Sequence, residues 1–338
     1  MVGVLLSGCT APRLPDDPAL AALRADGRVL ELEQRWRLPA GSDDAAWAQV
    51  PPQRVILHPQ NAIAPGLDGG DAITAELRAV SDGEGLALRL AWPDAGEDRY
   101  STTHTDRFAD AVAVQFAIDG APPLPYVGMG EPQRPVRLWF WRAGRGAENL
   151  AAHGFGTLAA NGDTPPAVEA RRTADGWVVT LRGPLPATAN PLPLSVAVWD
   201  GAGAGRDGRK RLSAWQLLLD PRRTADRARL TALAQESRSH GAAQNGARLV
   251  REHGCIACHR LPGQAAADIG PDLTRAGALH WPGYLRRSIA EPSAFVLPRA
   301  TYHAPGSGQT SLMPKLNLPP AAVEAITAYL ATLRGGEE

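Results

Sequence analysis

Cys255-Ile256-Ala257-Cys258-His259 places two thiols and an imidazole within one short stretch of chain. Thiols at this spacing can form thioethers with the vinyl groups of a haem, and the adjacent imidazole can then reach the iron, which is the C-x-x-C-H attachment pattern. Holding the porphyrin beside His259 lets the axial bond form without a search. Two other chemistries use such a pair, but a thioredoxin-like redox motif needs a βαβ setting and a zinc site needs further ligands. The chain has no second cysteine pair, its remaining cysteine being Cys9. The motif therefore implies one covalent c-type haem and export from the cytoplasm.

Residues that could complete or add an iron site are scarce. After Met1 the only methionines are Met129 and Met313, and the only lysines are Lys210 and Lys315, in a chain of 338 residues whose other basic side chains are arginine. Acidic and basic residues balance at 35 each, so no overall field favours nucleic acid or an anionic membrane surface. Three cysteines do not make a disulfide scaffold. No apolar run reaches the roughly 20 residues needed to span a bilayer. Met1-Val-Gly-Val-Leu-Leu6-Ser7-Gly8-Cys9 resembles the end of a lipoprotein signal, with Cys9 as the acylated residue and a Pro- and Asp-rich tether after it. It lacks a basic leader and has a short apolar stretch. A free terminal cysteine is the alternative.

The elements that must position these residues fall into two textures. Residues 1–27 read as signal remnant and tether. Residues 28–220 contain short segments rich in Val, Leu and Trp, namely Ala72–Val80, Leu86–Trp92, Ala111–Ile118, Val136–Trp141, Trp177–Arg182 and Leu194–Trp199. They alternate apolar with polar residues and are separated by turn clusters such as Ser81-Asp82-Gly83-Glu84-Gly85, which predicts an antiparallel β-sandwich or barrel. Residues 221–239 read as a linker with some helix. From 240 to 335 the pattern is helical: Gly246–His253 and Pro320–Leu333 are predicted helices, the latter opened by Pro319-Pro320 and closed by Gly335-Gly336. The fold class expected is multidomain, mainly β and then all-α.

Residues 240–335 resemble the small monohaem cytochrome c domains, through Gly254–His259, Ile269-Gly270-Pro271-Asp272-Leu273, Ser311-Leu312-Met313-Pro314 and the last helix. That resemblance implies that the Pro271 carbonyl accepts the His259 ring N–H, fixing the imidazole, and that Met313 is the distal iron ligand. Histidine–methionine ligation raises the reduction potential. His280 and His303 are rival distal ligands.

The first domain carries Trp92-Pro93-Asp94, Phe108–Phe116, Pro125-Tyr126-Val127-Gly128-Met129-Gly130, Val136–Trp141, Val196–Gly201 and Arg209-Lys210-Arg211-Leu212-Ser213-Ala214-Trp215. These segments resemble the haem b domain of the ethylbenzene dehydrogenase gamma subunit and its relatives. The resemblance implies a non-covalent b-type haem between Met129 and Lys210. A lysine amine can shed its proton to coordinate iron, whereas a guanidinium stays protonated. From the residues alone, Met129 reads rather as a methionine in a glycine-rich surface loop and Lys210 as a solvated member of the basic run Arg206–Arg211; His104 and His153 are substitute ligands if the lysine is not one. Trp139, Trp141, Trp177, Trp199 and Trp215 are expected in the core, and Asp110 and Asp200 as turn or cap residues.

Together these features imply a dihaem electron-transfer subunit, not itself an enzyme, lipid-anchored on the periplasmic side of the envelope. Its implied partners are a molybdenum catalytic subunit and an iron–sulfur subunit in a heterotrimer, with a cytochrome as further redox partner. Two other readings stay open: a stand-alone envelope cytochrome whose β-sandwich binds no haem, and a self-contained oxidoreductase whose haem b has an open coordination position.

Overall fold

The computed structural model describes residues 17–63, 66–67, 70–104, 106–264, 269–306 and 310–335. Cys9 and its surroundings lie outside the described residues. Asp17 caps helix α1 (Pro18–Ala25), its carboxylate accepting from the Ala19 and Leu20 amides. Six strands follow: β1 (Val29–Glu31), β2 (Glu33–Gln34), β3 (Gln53–Pro59), β4 (Ile73–Ser81), β5 (Gly85–Pro93) and β6 (Ala111–Ala117). Next come β7 (Val136–Arg142), β8 (Gly146–Ala152), β9 (Ala159–Ala160) and β10 (Ala167–Arg172). The last strands are β11 (Gly176–Pro184), β12 (Leu192–Trp199), β13 (Arg211–Leu212) and β14 (Gln216–Leu219).

The strands join in the order β10-β11-β5-β4-β3-β13-β12-β6-β7-β8-β9. Neighbours along this path are antiparallel, while β1 beside β14 and β2 beside β4 are parallel. Strand β3 pairs with β4 on one edge and with β13 on the other, so one continuous sheet curls and its halves face each other. Alternation fills the space between them. Leu77, Leu86, Leu88 and Leu90 from one half meet Val112, Val114, Phe116, Trp139 and Val196 from the other. Each such fully buried side chain stabilises the fold by roughly 1.5–3 kcal/mol relative to exposure. The opposite face of β6 and β12 is also covered, which is why Ala113, Ala117 and Ala197 are buried there.

Helix α2 (Arg227–Glu236) occupies much of the segment expected as linker, and it is packed: Leu230 and Leu233 lie with Leu20 and Leu23 of α1 on that outer sheet face. The C-terminal part contains α3 (Ala243–Glu252), α4 (Ala276–Leu279), α5 (Pro282–Ala290) and α6 (Pro320–Thr332). Helices α3 and α6 cross at Gly246, where an added Cβ would sit 1.9 Å from the Ala325 carbonyl oxygen. Among the described residues no helix is long and apolar enough to cross a membrane.

The two parts are joined by more than chain continuity. Trp281 is 2% exposed within the apolar cluster that covers the outer face of the sheet, and its indole donates to the Trp215 carbonyl at 2.9 Å. Trp215 in turn donates to the Pro125 carbonyl at 2.8 Å. Buried Glu131, after β6, pairs with Arg287 of α5 and accepts from the Tyr126 amide at 2.9 Å. Tyr302 donates from its hydroxyl to the Ala62 carbonyl at 3.3 Å.

Candidate haem sites

Helix α3 stops at Gly254, whose φ of +70° suits glycine, and a single turn over Cys255–Ala257 then presents the motif. Cys255, Cys258, His259, Pro271 and Met313 all line one cavity between the helices. The His259 ring, through Nδ1, lies 2.9 Å from the Pro271 carbonyl oxygen. With Nδ1–H donating there, Nε2 keeps its lone pair for a metal. Burial pushes the His259 pKa below the ordinary 6.5, against the pull of that carbonyl, which keeps the ring neutral. Gly270 is a fitted position: a Cβ there would stand 2.7 Å from Cε1 and 2.8 Å from Nδ1 of His259. Met313, half-buried, lies in irregular chain and donates its amide to Ser311 Oγ at 3.1 Å.

Burial raises the Cys255 thiol above its ordinary value, and the neighbouring Cys258 adds to the shift. A thioredoxin-like motif needs a βαβ setting, whereas this pair follows α3 and is surrounded by helices. The donor set, the oriented imidazole and the space left by Gly270 fit a covalently held haem. Of the two rival distal ligands, His280 is among the residues lining this cavity and His303 is not. His303 places Nε2 3.1 Å from the Leu297 carbonyl oxygen. His280 lines the cavity but stacks on Tyr126 and Tyr284 at ring-centroid distances of 5.4 and 4.6 Å, and burial pushes its pKa down to about 3.

The cavity has a wall that the helical part does not supply. Asn61 and Ala62, following β3, also line it, and Asn61 donates to Thr274 Oγ1 at 3.3 Å. Motif reading missed these residues because they lie far from Cys255 in sequence.

Met129 and Lys210 are not brought to this cavity. Met129 has φ of +100°, an uncommon conformation for a residue with a side chain, and it packs against the cluster on the outer sheet face. Gln115 of β6 fixes its turn: Oε1 accepts from the Met129 amide at 3.2 Å and Nε2 donates to the Val127 carbonyl at 2.8 Å. Gly128 is required beside it, since a Cβ would lie 2.7 Å from the Tyr126 ring.

Lys210 precedes β13 and is only 5% exposed, so it is not a solvated member of the basic run. Its amine sits 5.1 Å from the centre of the Trp199 ring, and Trp199 packs against the same cluster as Met129. Burial lowers its pKa to about 8, with only the Asp207 carboxylate opposing. Met129 and, through Trp199, Lys210 thus both border the apolar cluster on the outer sheet face, and a thioether and a deprotonatable amine are donor types able to ligate iron. His104 and His153 are both exposed.

Asp110 does more than end a turn. Fully buried, it accepts from Trp177 Nε1 at 3.0 Å and from the amides of Asp98 and Gly201 at 2.8 and 2.9 Å, tying three segments together. Asp94 and Asp200 each bring a carboxylate oxygen within 4.8 Å of it and of each other. Burial, with these two neighbours adding to it, raises Asp94 to about 6.

Two family models match the chain: ethylbenzene dehydrogenase over residues 44–182 and cytochrome c over residues 243–334. Chlorate reductase subunit gamma of Ideonella dechloratans is 34% identical over 224 residues, which is 58% of this chain and 90% of that protein. Dimethylsulfide dehydrogenase subunit gamma of Rhodovulum sulfidophilum is 30% identical over 198 residues, 52% of this chain and 73% of that one. A putative respiratory nitrate reductase heme subunit of Haloferax mediterranei is 29% identical over 188 residues, covering 52% and 67% respectively.

Proposed function

This chain belongs to the ethylbenzene dehydrogenase family of gamma subunits, and from that premise we propose that it is a dihaem subunit passing electrons between a periplasmic molybdenum and iron–sulfur oxidoreductase and a cytochrome partner. The observation that carries the reading is the fusion of a gamma-subunit domain to a cytochrome c domain whose Cys255, Cys258, His259 and Met313 meet in one cavity. A haem supplies reversible one-electron chemistry at each site. The chain's own residues would do the rest: Cys255 and Cys258 would hold the c-type ring, Pro271 orients His259, and Met313 would offer its thioether. Gln115 and Gly128 set the Met129 turn, while Trp199 and the surrounding core exclude water from the Lys210 amine. The relatives are named as subunits of reductases and a dehydrogenase, which supports a heterotrimer in which substrate chemistry belongs to a molybdenum subunit and an iron–sulfur subunit carries electrons to the b haem.

The test is haem counting on the full chain. Pyridine haemochrome spectra before and after acid–acetone extraction should give one extractable b-type and one retained c-type haem per polypeptide. A retained c haem alone would favour a stand-alone cytochrome with a haem-free β-domain.

Membrane attachment through an acylated Cys9 completes the proposal, supported by Leu6-Ser7-Gly8 before that cysteine. Expressed behind a complete signal, the protein should fractionate with membranes, and Cys9→Ser should move it to the soluble periplasmic fraction. Equal solubility of the two forms would reject lipidation.

A further inference from the structure

We infer that the contact between Tyr126 and His280 is the route by which an electron crosses between the two haem sites, through a rigid joint within one chain. The route rests on the assignment of Met129 as a haem b ligand.

Tyr126 and Met129 share one turn, closed by the Gly130 amide donating to the Tyr126 carbonyl at 3.1 Å. The Tyr126 ring is 1% exposed and leaves the β-domain to meet His280 and Tyr284 at centroid distances of 5.4 and 5.5 Å. Both of those residues line the cavity that holds Cys255, His259 and Met313. One turn of backbone and one ring contact therefore span the distance from the proposed b-haem ligand to the wall of the c-haem cavity.

Electron tunnelling weakens with distance, and it weakens faster across gaps than through packed atoms. Protein interiors pack as densely as organic crystals, and this joint is interior: Phe155 and Phe295 also stack on Tyr126, at 5.8 and 5.6 Å. Its position is held on both sides, by Glu131 binding Arg287 and the Tyr126 amide, and by Trp281 inserted beneath the sheet. The exchange balances as a single electron. A ferrous iron on the donor side becomes ferric, a ferric iron on the acceptor side becomes ferrous, no bond forms or breaks, and Tyr126 keeps its phenolic proton. A second path leaves the same turn through the hydrogen bonds Trp215 to Pro125 and Trp281 to Trp215, which gives the test its control.

The experiment uses the full chain with both haems, injecting one electron photochemically into the c site and following the b-type absorbance. Tyr126→Phe retains the ring and should leave the rate unchanged, as should Trp281→Phe where hydrogen exchange shows the joint still docked. Tyr126→Leu and His280→Leu should each slow it severalfold at unaltered midpoint potentials. Hydrogen exchange over residues 124–131 reports independently on whether the joint stays docked; if Tyr126→Leu loosens it, His280→Leu decides in its place. An unchanged rate in the docked leucine variant would overturn the route, as would slowing by Trp281→Phe with none by the leucine variants. A wild type without a b-type spectrum fails the ligand assignment before any rate is measured.

Discussion

Cys255→Ala combined with Cys258→Ala is expected to remove every trace of haem that survives acid–acetone treatment of the polypeptide. The expectation follows from where the thiols stand. Both line the cavity into which His259 and Met313 also project, and apart from Cys9 the chain has no other sulfhydryl that could form a thioether. Without the two bonds, haem could be held there only by its axial donors and apolar contacts, and denaturation releases such haem. The β-domain should remain folded, because its core between the sheet halves draws on no residue of the helical part. The helical part should be weakened, since its own apolar cluster is small and includes Cys255 and Ile256 beside Leu249, Leu261, Leu285 and Leu330, and a bound group that stabilises only the folded state contributes to stability by mass action. Haem staining of the denatured double variant decides the matter: persistent signal, or wild-type protein that carries zinc in place of haem, would overturn the assignment.

What the sequence made legible is what is local. The attachment motif is contiguous, so its chemistry can be read without a fold. The strands Ile73–Ser81, Gly85–Pro93, Ala111–Ala117, Val136–Arg142, Gly176–Pro184 and Leu192–Trp199 match predicted segments within two residues at each end, because each buries a run of Val, Leu and Trp. Trp139, Trp141, Trp177 and Trp215 are core residues as expected, and Trp199 is half-buried beside Lys210.

Elements that lack that signature were invisible. Strand β10, Ala-Val-Glu-Ala-Arg-Arg, is an edge strand with exposed and half-buried positions in strict alternation, and β8 is, apart from Leu150, built from Ala, Glu, Asn and Gly, residues of low β-propensity. Helix α2 carries only two buried leucines among arginines and alanines, too narrow a stripe to distinguish packing from a solvated linker. The joint was hidden for a different reason. Trp281, Arg287 and Asn61 gain their roles from partners 66, 156 and 213 residues away, and no periodicity encodes a contact of that span. Gln115 is similar: within its strand it is one polar residue among apolar ones, and only the fold shows that it clamps the Met129 turn.

Lys210→Arg should abolish the low-spin b-type haem signal while leaving the c-type spectrum intact. A lysine amine in water has a pKa of about 10.4, and coordination requires the neutral form, with iron in place of the proton. The protein has already eased that step, since burial brings Lys210 to about 8, so at pH 7 the remaining cost of deprotonation is of order 1–2 kcal/mol at 1.36 kcal/mol per pKa unit. Arginine preserves the positive charge and offers no such route, because guanidinium neither deprotonates nor coordinates. A buried unpaired charge is also costly to the fold, so Lys210→Leu is the companion variant: it removes both charge and donor, and the apolar cluster around Trp199 can accept its side chain. Both variants should lose most extractable haem or retain it in high-spin form, with Lys210→Leu keeping normal thermal unfolding. A Lys210→Leu protein that holds a low-spin b haem of unchanged spectrum and potential would show that the sixth position is filled by another residue, and the burial of Lys210 against Trp199 would then belong to packing alone.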